Sequence, residues 1–89
     1  EGRIVEGYVM AKRVCTLLPR DPRAWYRRSL MAIIAGDSAD ARIALATARQ
    51  RAHEAGFGDI RFWRAMRTTQ RRLGPLPTVP PYDPPDEIR

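Results

Sequence analysis

Four helix-stopping points govern what this chain can fold into: Pro19, Gly36, Gly56 and the Gly74-Pro75 pair. A proline steers the residue before it out of helical geometry, and a glycine accepts the positive φ that closes a helix. Between these points the apolar residues recur with a helical period, so the chain reads as about four helices. The first, from about Arg3 to Leu18, brings Ile4, Tyr8, Ala11, Cys15 and Leu18 to one face, with Val5, Val9 and Val14 beside them. The second runs from Pro22 to about Ala35. Asp21 is placed to cap it, Pro22 sits where no amide donor is missed, and Trp25, Ser29, Ala32 and Ile33 share a face that Tyr26, Leu30 and Ile34 widen.

Asp37 or Ser38 caps the third helix, and Asp40 stands in its first turn, favourably placed against the helix dipole. Ala41, Ala44, Leu45, Ala48, Ala52 and Ala55 line one side of it, a smooth face that lets another helix approach closely. Gly56 closes this helix and Phe57 is placed to fold back over its end. Asp59 caps a fourth helix, Ile60 to Leu73, with Phe62, Met66, Thr69 and Leu73 along one stripe and Ile60 and Trp63 adjacent. Beyond Gly74, the recurrent prolines favour an extended or polyproline conformation. The expected organisation is an all-α domain over residues 1–74 and an extended proline-rich tail over 75–89.

From Pro22 to about Ala55, the second and third helices resemble the roughly 34-residue tetratricopeptide repeat. Trp25 stands at the repeat's early aromatic, Gly36-Asp37 at its inter-helix turn, and Ala41, Leu45 and Ala48 at the small or apolar sites of its second helix. Ser29, Ala32 and His53 depart from the glycine, tyrosine and proline usual at those sites. The first helix then looks like the end of an earlier repeat, and the fourth like a following first helix or a solvating cap. Arg28 to Gly56 is also similar to the helical domain of bacterial transcriptional activators. The resemblance implies an antiparallel helix hairpin with flanking helices, and a concave surface that grips a peptide or helix of another protein. Outward residues of the second and fourth helices, Arg27, Arg28, Arg64 and Arg67 among them, would line it. One full repeat with two halves is fewer than the roughly three repeats a solenoid uses to bury a continuous core. A larger chain or assembly is the expected context, and the absence of an initiator methionine at Glu1 points the same way.

The chain of 89 residues carries 16 basic and 10 acidic residues, a net charge of +6, and Lys12 is its one lysine. Arginine prefers planar bidentate partners such as carboxylates and phosphates. That admits an acidic protein surface or peptide, and with less support a nucleic acid. Arg61, Arg64, Arg67, Arg71 and Arg72 crowd the fourth helix, and Arg64, Arg67 and Arg71 share a face at three- and four-residue spacing. Arg27, Arg28, Arg61, Arg64, Arg67 and Arg71, with the tail's Tyr82, set in Pro81-Tyr82-Asp83-Pro84, are the expected partner-binding residues. The tail itself reads either as a linker or as a strap whose acidic residues Asp83, Asp86 and Glu87 meet the arginine face.

No constellation of side chains suggests catalysis, a cofactor or a metal. His53 has no Ser/His/Asp arrangement, phosphate loop or ligand spacing around it, and Asp21, Asp37 and Asp59 are explained as caps. Cys15 is alone, which excludes an internal disulfide and makes no demand for an oxidising compartment; the compartment stays open, with the cytoplasm the default. The longest apolar run, Leu30 to Ala35, is far shorter than the roughly twenty residues of a membrane span. The function expected is a non-catalytic interaction or assembly module that binds another protein through its alanine-smooth and arginine-rich faces, the alternative a nucleic-acid-associated regulator.

Overall fold

The computed structural model describes residues 2–83; the tail features that rest on Pro84, Pro85, Asp86 and Glu87 lie outside them. The described residues form four helices and no strand: α1 (Gly2–Leu17), α2 (Pro22–Ala35), α3 (Ser38–Glu54) and α4 (Ile60–Leu73). Each boundary has a local cause. Asp21, Asp37 and Asp59 accept backbone N–H groups of Arg23, Asp40 and Arg61 at 2.9, 3.0 and 3.0 Å, so each of the last three helices starts on a satisfied cap. Gly36, at φ 83°, ends α2: its N–H donates to Ile33 O and that of Asp37 to Ala32 O, which consumes the free carbonyls of the last turn. The same pair of bonds closes α3, where Gly56 and Phe57 donate to His53 O and Ala52 O, and Phe57 packs back against the core.

Consecutive helices run antiparallel, as the register of their contacts shows. Around the turn at Gly36, Arg28 meets Asp40 and, farther out, Pro19 O accepts from Arg51 Nε. Around the α1–α2 turn, the Cys15 thiol donates to Ala24 O, and a β-carbon on Gly7 would stand 2.6 Å from Met31 Cε. Gly7 thus weakens α1 as a helix yet permits its close approach to α2. Helices two apart touch as well. Tyr8 of α1 donates to Asp37 and Asp40 at the start of α3, while Tyr26 of α2 donates to Ala65 O of α4 and lies edge-on to Phe62.

The core is built on α3. Ala41, Leu45, Ala48 and Ala52 are wholly buried, and the volume around them is supplied by larger side chains from α2 and α4: Trp25, Tyr26, Phe62, Trp63 and the buried Met66. The alanine face expected to be open to a partner is therefore consumed inside the molecule, because residues that allow one helix to approach closely allow two. Ile4 and Leu18, expected on the buried face of α1, are 37% and 50% exposed. They lie toward the two ends of the helix, while Tyr8, Ala11 and Cys15 between them are buried.

One regularity links the two halves. Asp21, Arg23 and Trp25 at the start of α2 recur with the same spacing as Asp59, Arg61 and Trp63 at the start of α4. The indole N–H of Trp25 donates to Pro19 O at 2.9 Å, and that of Trp63 to Phe57 O at 2.9 Å, each clasping the loop before its own helix. The starts of α2 and α4, with the loops before them, are two copies of one local design.

Leu45 joins both halves, so truncating it should be the most damaging single core change. Leu45→Ala is expected to cost about 2–5 kcal/mol in urea denaturation, whereas Ile43→Ala, half-exposed on the same helix, should stay within about 0.5 kcal/mol of wild type.

Candidate functional site

The sequence of α4 divides it sharply. Phe62, Met66, Thr69 and Leu73 point inward, with Met66 and Thr69 buried and Thr69 Oγ1 in a 3.1 Å hydrogen bond with the Tyr26 hydroxyl. On the outer side Arg61, Arg64, Arg67, Arg71 and Arg72 are all exposed. At about 1.5 Å rise per residue they cover some 16 Å of helix axis. The helix contains no acidic residue, and the adjacent Asp59 is engaged with the backbone N–H of Arg61. Among the described residues, no carboxylate lies within ion-pair distance of any of these guanidinium groups.

Helix electrostatics accounts for only part of this face. Arg71 and Arg72 occupy the last turn, where the helix dipole favours cations. Arg61 stands in the first turn, where it disfavours a cation, and Arg64, Arg67 and Arg71 repel one another at helical spacing. The face is a preformed array of bidentate donors facing solvent.

The other expected site residues are distributed differently. Arg27 is exposed on α2. Arg28, expected to face outward, is turned inward instead: its Nε and NH2 donate to Asp40 at 3.0 and 2.8 Å, and the guanidinium lies over the Trp25 ring. Asp40 also accepts from Tyr8, so one carboxylate fastens α1, α2 and α3 together. Burial would raise the Asp40 carboxyl, but the hydrogen bonds from Arg28 and then Tyr8 outweigh it and hold the group below the usual aspartate range. The same bond from the other side raises Arg28. Burial first, and then the two aspartates, push the Tyr8 hydroxyl well above its ordinary range.

Tyr82 sits away from the arginines of α4. Its ring lies between the guanidinium groups of Arg20 and Arg51, at 4.7 and 5.2 Å, and its backbone N–H donates to Glu54 Oε2 at 2.8 Å. Burial would raise Glu54, but the Gln50 side chain, the Tyr82 N–H and Arg51 lower it. Residues 75–83 carry no helix or strand, and the chain passes Leu76 against the core to reach this clamp at the far end of α3. The described part of the tail thus engages Arg20 and Arg51 through its tyrosine, while Asp86 and Glu87, expected with Asp83 on the arginine face, lie outside the described residues. On the way, Leu76 to Val79 wall a cleft of about 400 Å³ with Arg49, His53, Trp63 and Gln70. His53 is exposed in it, and Arg49 donates to Gln70 at 2.7 Å.

No helix among the described residues is long and apolar enough to cross a membrane. Neither family models, curated proteins nor solved structures yield a match to this chain.

The three-helix junction makes stability pH-dependent at both extremes. A depressed Asp40 stabilises the fold above the ordinary aspartate range, about pH 4, and that contribution disappears as pH falls through its lower folded value. A raised Tyr8 stabilises below about pH 10 and the contribution is lost at higher pH. Thermal melts should show a plateau with two falling limbs. Asp40→Asn should flatten the acid limb and lower neutral stability by about 1–3 kcal/mol, while Tyr8→Phe should flatten the alkaline limb.

Proposed function

We propose that this chain is a non-catalytic protein-interaction or assembly module of tetratricopeptide-like architecture, which holds a protein partner of acidic surface through the outer face of α4. The observation that carries this reading is the run of exposed arginines without a carboxylate partner among the described residues, Arg61 in the first turn being placed against the helix dipole. Within the fold the helix dipole favours only Arg71 and Arg72, and the mutual repulsion of Arg64, Arg67 and Arg71 is left unrelieved among the described residues. An acidic surface would relieve the repulsion and satisfy the guanidinium forks bidentately.

The tetratricopeptide-like part of the reading draws on several features. The helices pair antiparallel, Gly36-Asp37 reverses the chain between two of them, and Ala41, Leu45 and Ala48 are buried at their crossing. Ala32, where the repeat usually has a tyrosine, is wholly buried in one cluster with Tyr8 and Ala41. Tyr8 thus brings from α1 the aromatic volume that position 32 lacks. The proline-rich segment from Pro75 belongs to this reading as a strap along α3 and not as a second binding arm, since Tyr82 is held by Arg20, Arg51 and Glu54.

Two structural facts favour a protein over a single-stranded nucleic acid or a lipid surface. Phe62 and Trp63 are packed against the core, so the arginine face offers no ring on which a base could stack. Ile60 is the one large apolar side chain exposed on α4, too little to insert into a bilayer.

Affinity purification with the intact chain and with Arg64→Ala/Arg67→Ala/Arg71→Ala, followed by mass spectrometry, tests the proposal. The expected result is an acidic protein retained by the first and weakened about threefold to 150-fold with the second, given roughly 0.2–1 kcal/mol for each of three exposed charge pairs. Circular dichroism should show the variant as helical as wild type, alanine being the better helix former. Nucleic acid recovered in place of protein, with affinity falling steeply as salt is added, would replace this reading with that of a nucleic-acid-associated regulator.

A further inference from the structure

The repeated Asp-x-Arg-x-Trp start fixes a residue-by-residue correspondence between α2 and α4. With Asp21, Arg23 and Trp25 set on Asp59, Arg61 and Trp63, Tyr26 falls on Arg64, Ser29 on Arg67 and Ile33 on Arg71. The three α2 residues belong to the side on which α2 receives its neighbours. Tyr26 bonds Ala65 O and Thr69 of α4, Ser29 is wholly buried, and Ile33 packs with Leu73 of α4 against one cluster. In α4 the equivalent face is exposed, and its three positions are all arginine. The fold therefore repeats a helix-receiving surface and changes its chemistry from apolar and small to cationic.

We propose that this face of α4 seats one further helix, contributed by another protein, that carries carboxylates at i, i+3 or i+4, and i+7 in register with Arg64, Arg67 and Arg71. The seated helix lies along α4 as α4 lies along α2, with bidentate guanidinium–carboxylate pairs in place of the Tyr26 contacts. The proposal rests on the reading of α4 as the surface for an acidic protein partner and adds the partner's secondary structure and register. A second copy of this chain does not fit: among the described residues α2 and α4 have no acidic side chain, α1 has Glu6, and α3 has Asp40 and Glu54, both already bonded.

The test uses the full chain and three defined probes: an alanine-rich helical peptide with glutamates in that stripe, a peptide of identical composition with the glutamates spread around the helix, and a random-sequence DNA duplex. Fluorescence anisotropy is expected to show the striped peptide binding at least tenfold tighter than the dispersed one, with a gain in helical circular dichroism on binding. Arg64→Glu/Arg67→Glu/Arg71→Glu should abolish this, and a peptide with arginines in the same stripe should restore binding to that variant. Equal binding of the two glutamate peptides would overturn the helix seat while leaving α4 as a general acidic-partner surface. Tighter binding to the duplex, or binding to none of the probes by a chain that is fully folded, would overturn both.

Discussion

The architecture depends on α3 having almost no side-chain bulk on its buried side. Ala41, Ala44, Ala48 and Ala52 leave a helix surface so smooth that α2 and α4 both settle against it, and Leu45 is the one large residue among them. The mass of the core has to come from the partners, which is why Trp25, Tyr26, Phe62, Trp63 and Met66 all belong to the two helices that flank α3. This division of labour also explains the aromatic contacts between α2 and α4. With alanine between them, Tyr26 and Phe62 approach to a 5.5 Å centroid separation with the rings nearly perpendicular, the geometry their quadrupoles favour. A bulky residue at Ala48 would separate all three helices at once.

Polar chemistry then decides how α1 is attached. The apolar contact of α1 is modest: Tyr8, Ala11 and Cys15 are buried, while Val5, Val9, Met10 and Leu17 face solvent. What orients the helix is the carboxylate of Asp40, which Arg28 approaches with two donors and Tyr8 with a third. A half-buried ion pair is weak evidence for net stability, because desolvation offsets much of the attraction. It is effective at fixing register, since a shift of α1 by one residue would strand the Tyr8 hydroxyl away from Asp37 and Asp40. In this respect Arg28 differs from its sequence neighbour Arg27, which is exposed and free to meet another molecule.

Most of the backbone architecture was legible in the residues themselves. Caps at Asp21, Asp37 and Asp59 and stops at Gly36, Gly56 and Gly74 act through bonds within a few positions of the chain, so local chemistry is enough to place them. Long-range pairings were not legible in this way. Arg27 and Arg28 are adjacent identical residues, and only the position of Asp40 across the turn distinguishes them. Periodicity names an alanine face but does not say how many helices it will receive, so the face expected to be open proved closed. Tyr82 was singled out for the prolines around it, whereas its place is set by Arg20 and Arg51, which are remote in sequence. One signal lay in plain view without being read: the recurrence of Asp-x-Arg-x-Trp, whose meaning emerges once both indoles are seen holding the loop before them.

That recurrence bears on why α2 and α4 differ on their equivalent faces. In a stack of similar helical units, each helix offers one side to the unit before it and one to the unit after. An exposed side that keeps the internal chemistry, apolar and small, invites further stacking and is a liability in water; one that carries charge is soluble. α4 meets this demand with arginine, although any polar residue would have been sufficient. A mixture of glutamate and lysine at helical spacing would have solvated the face and added favourable pairs along it. Arginine alone, three deep in one stripe and without an acidic neighbour on the helix, leaves the charge uncompensated along α4 among the described residues. Solvation explains why the face is polar, but it does not explain why the face has a single sign, and the proposal of an acidic partner rests on that difference.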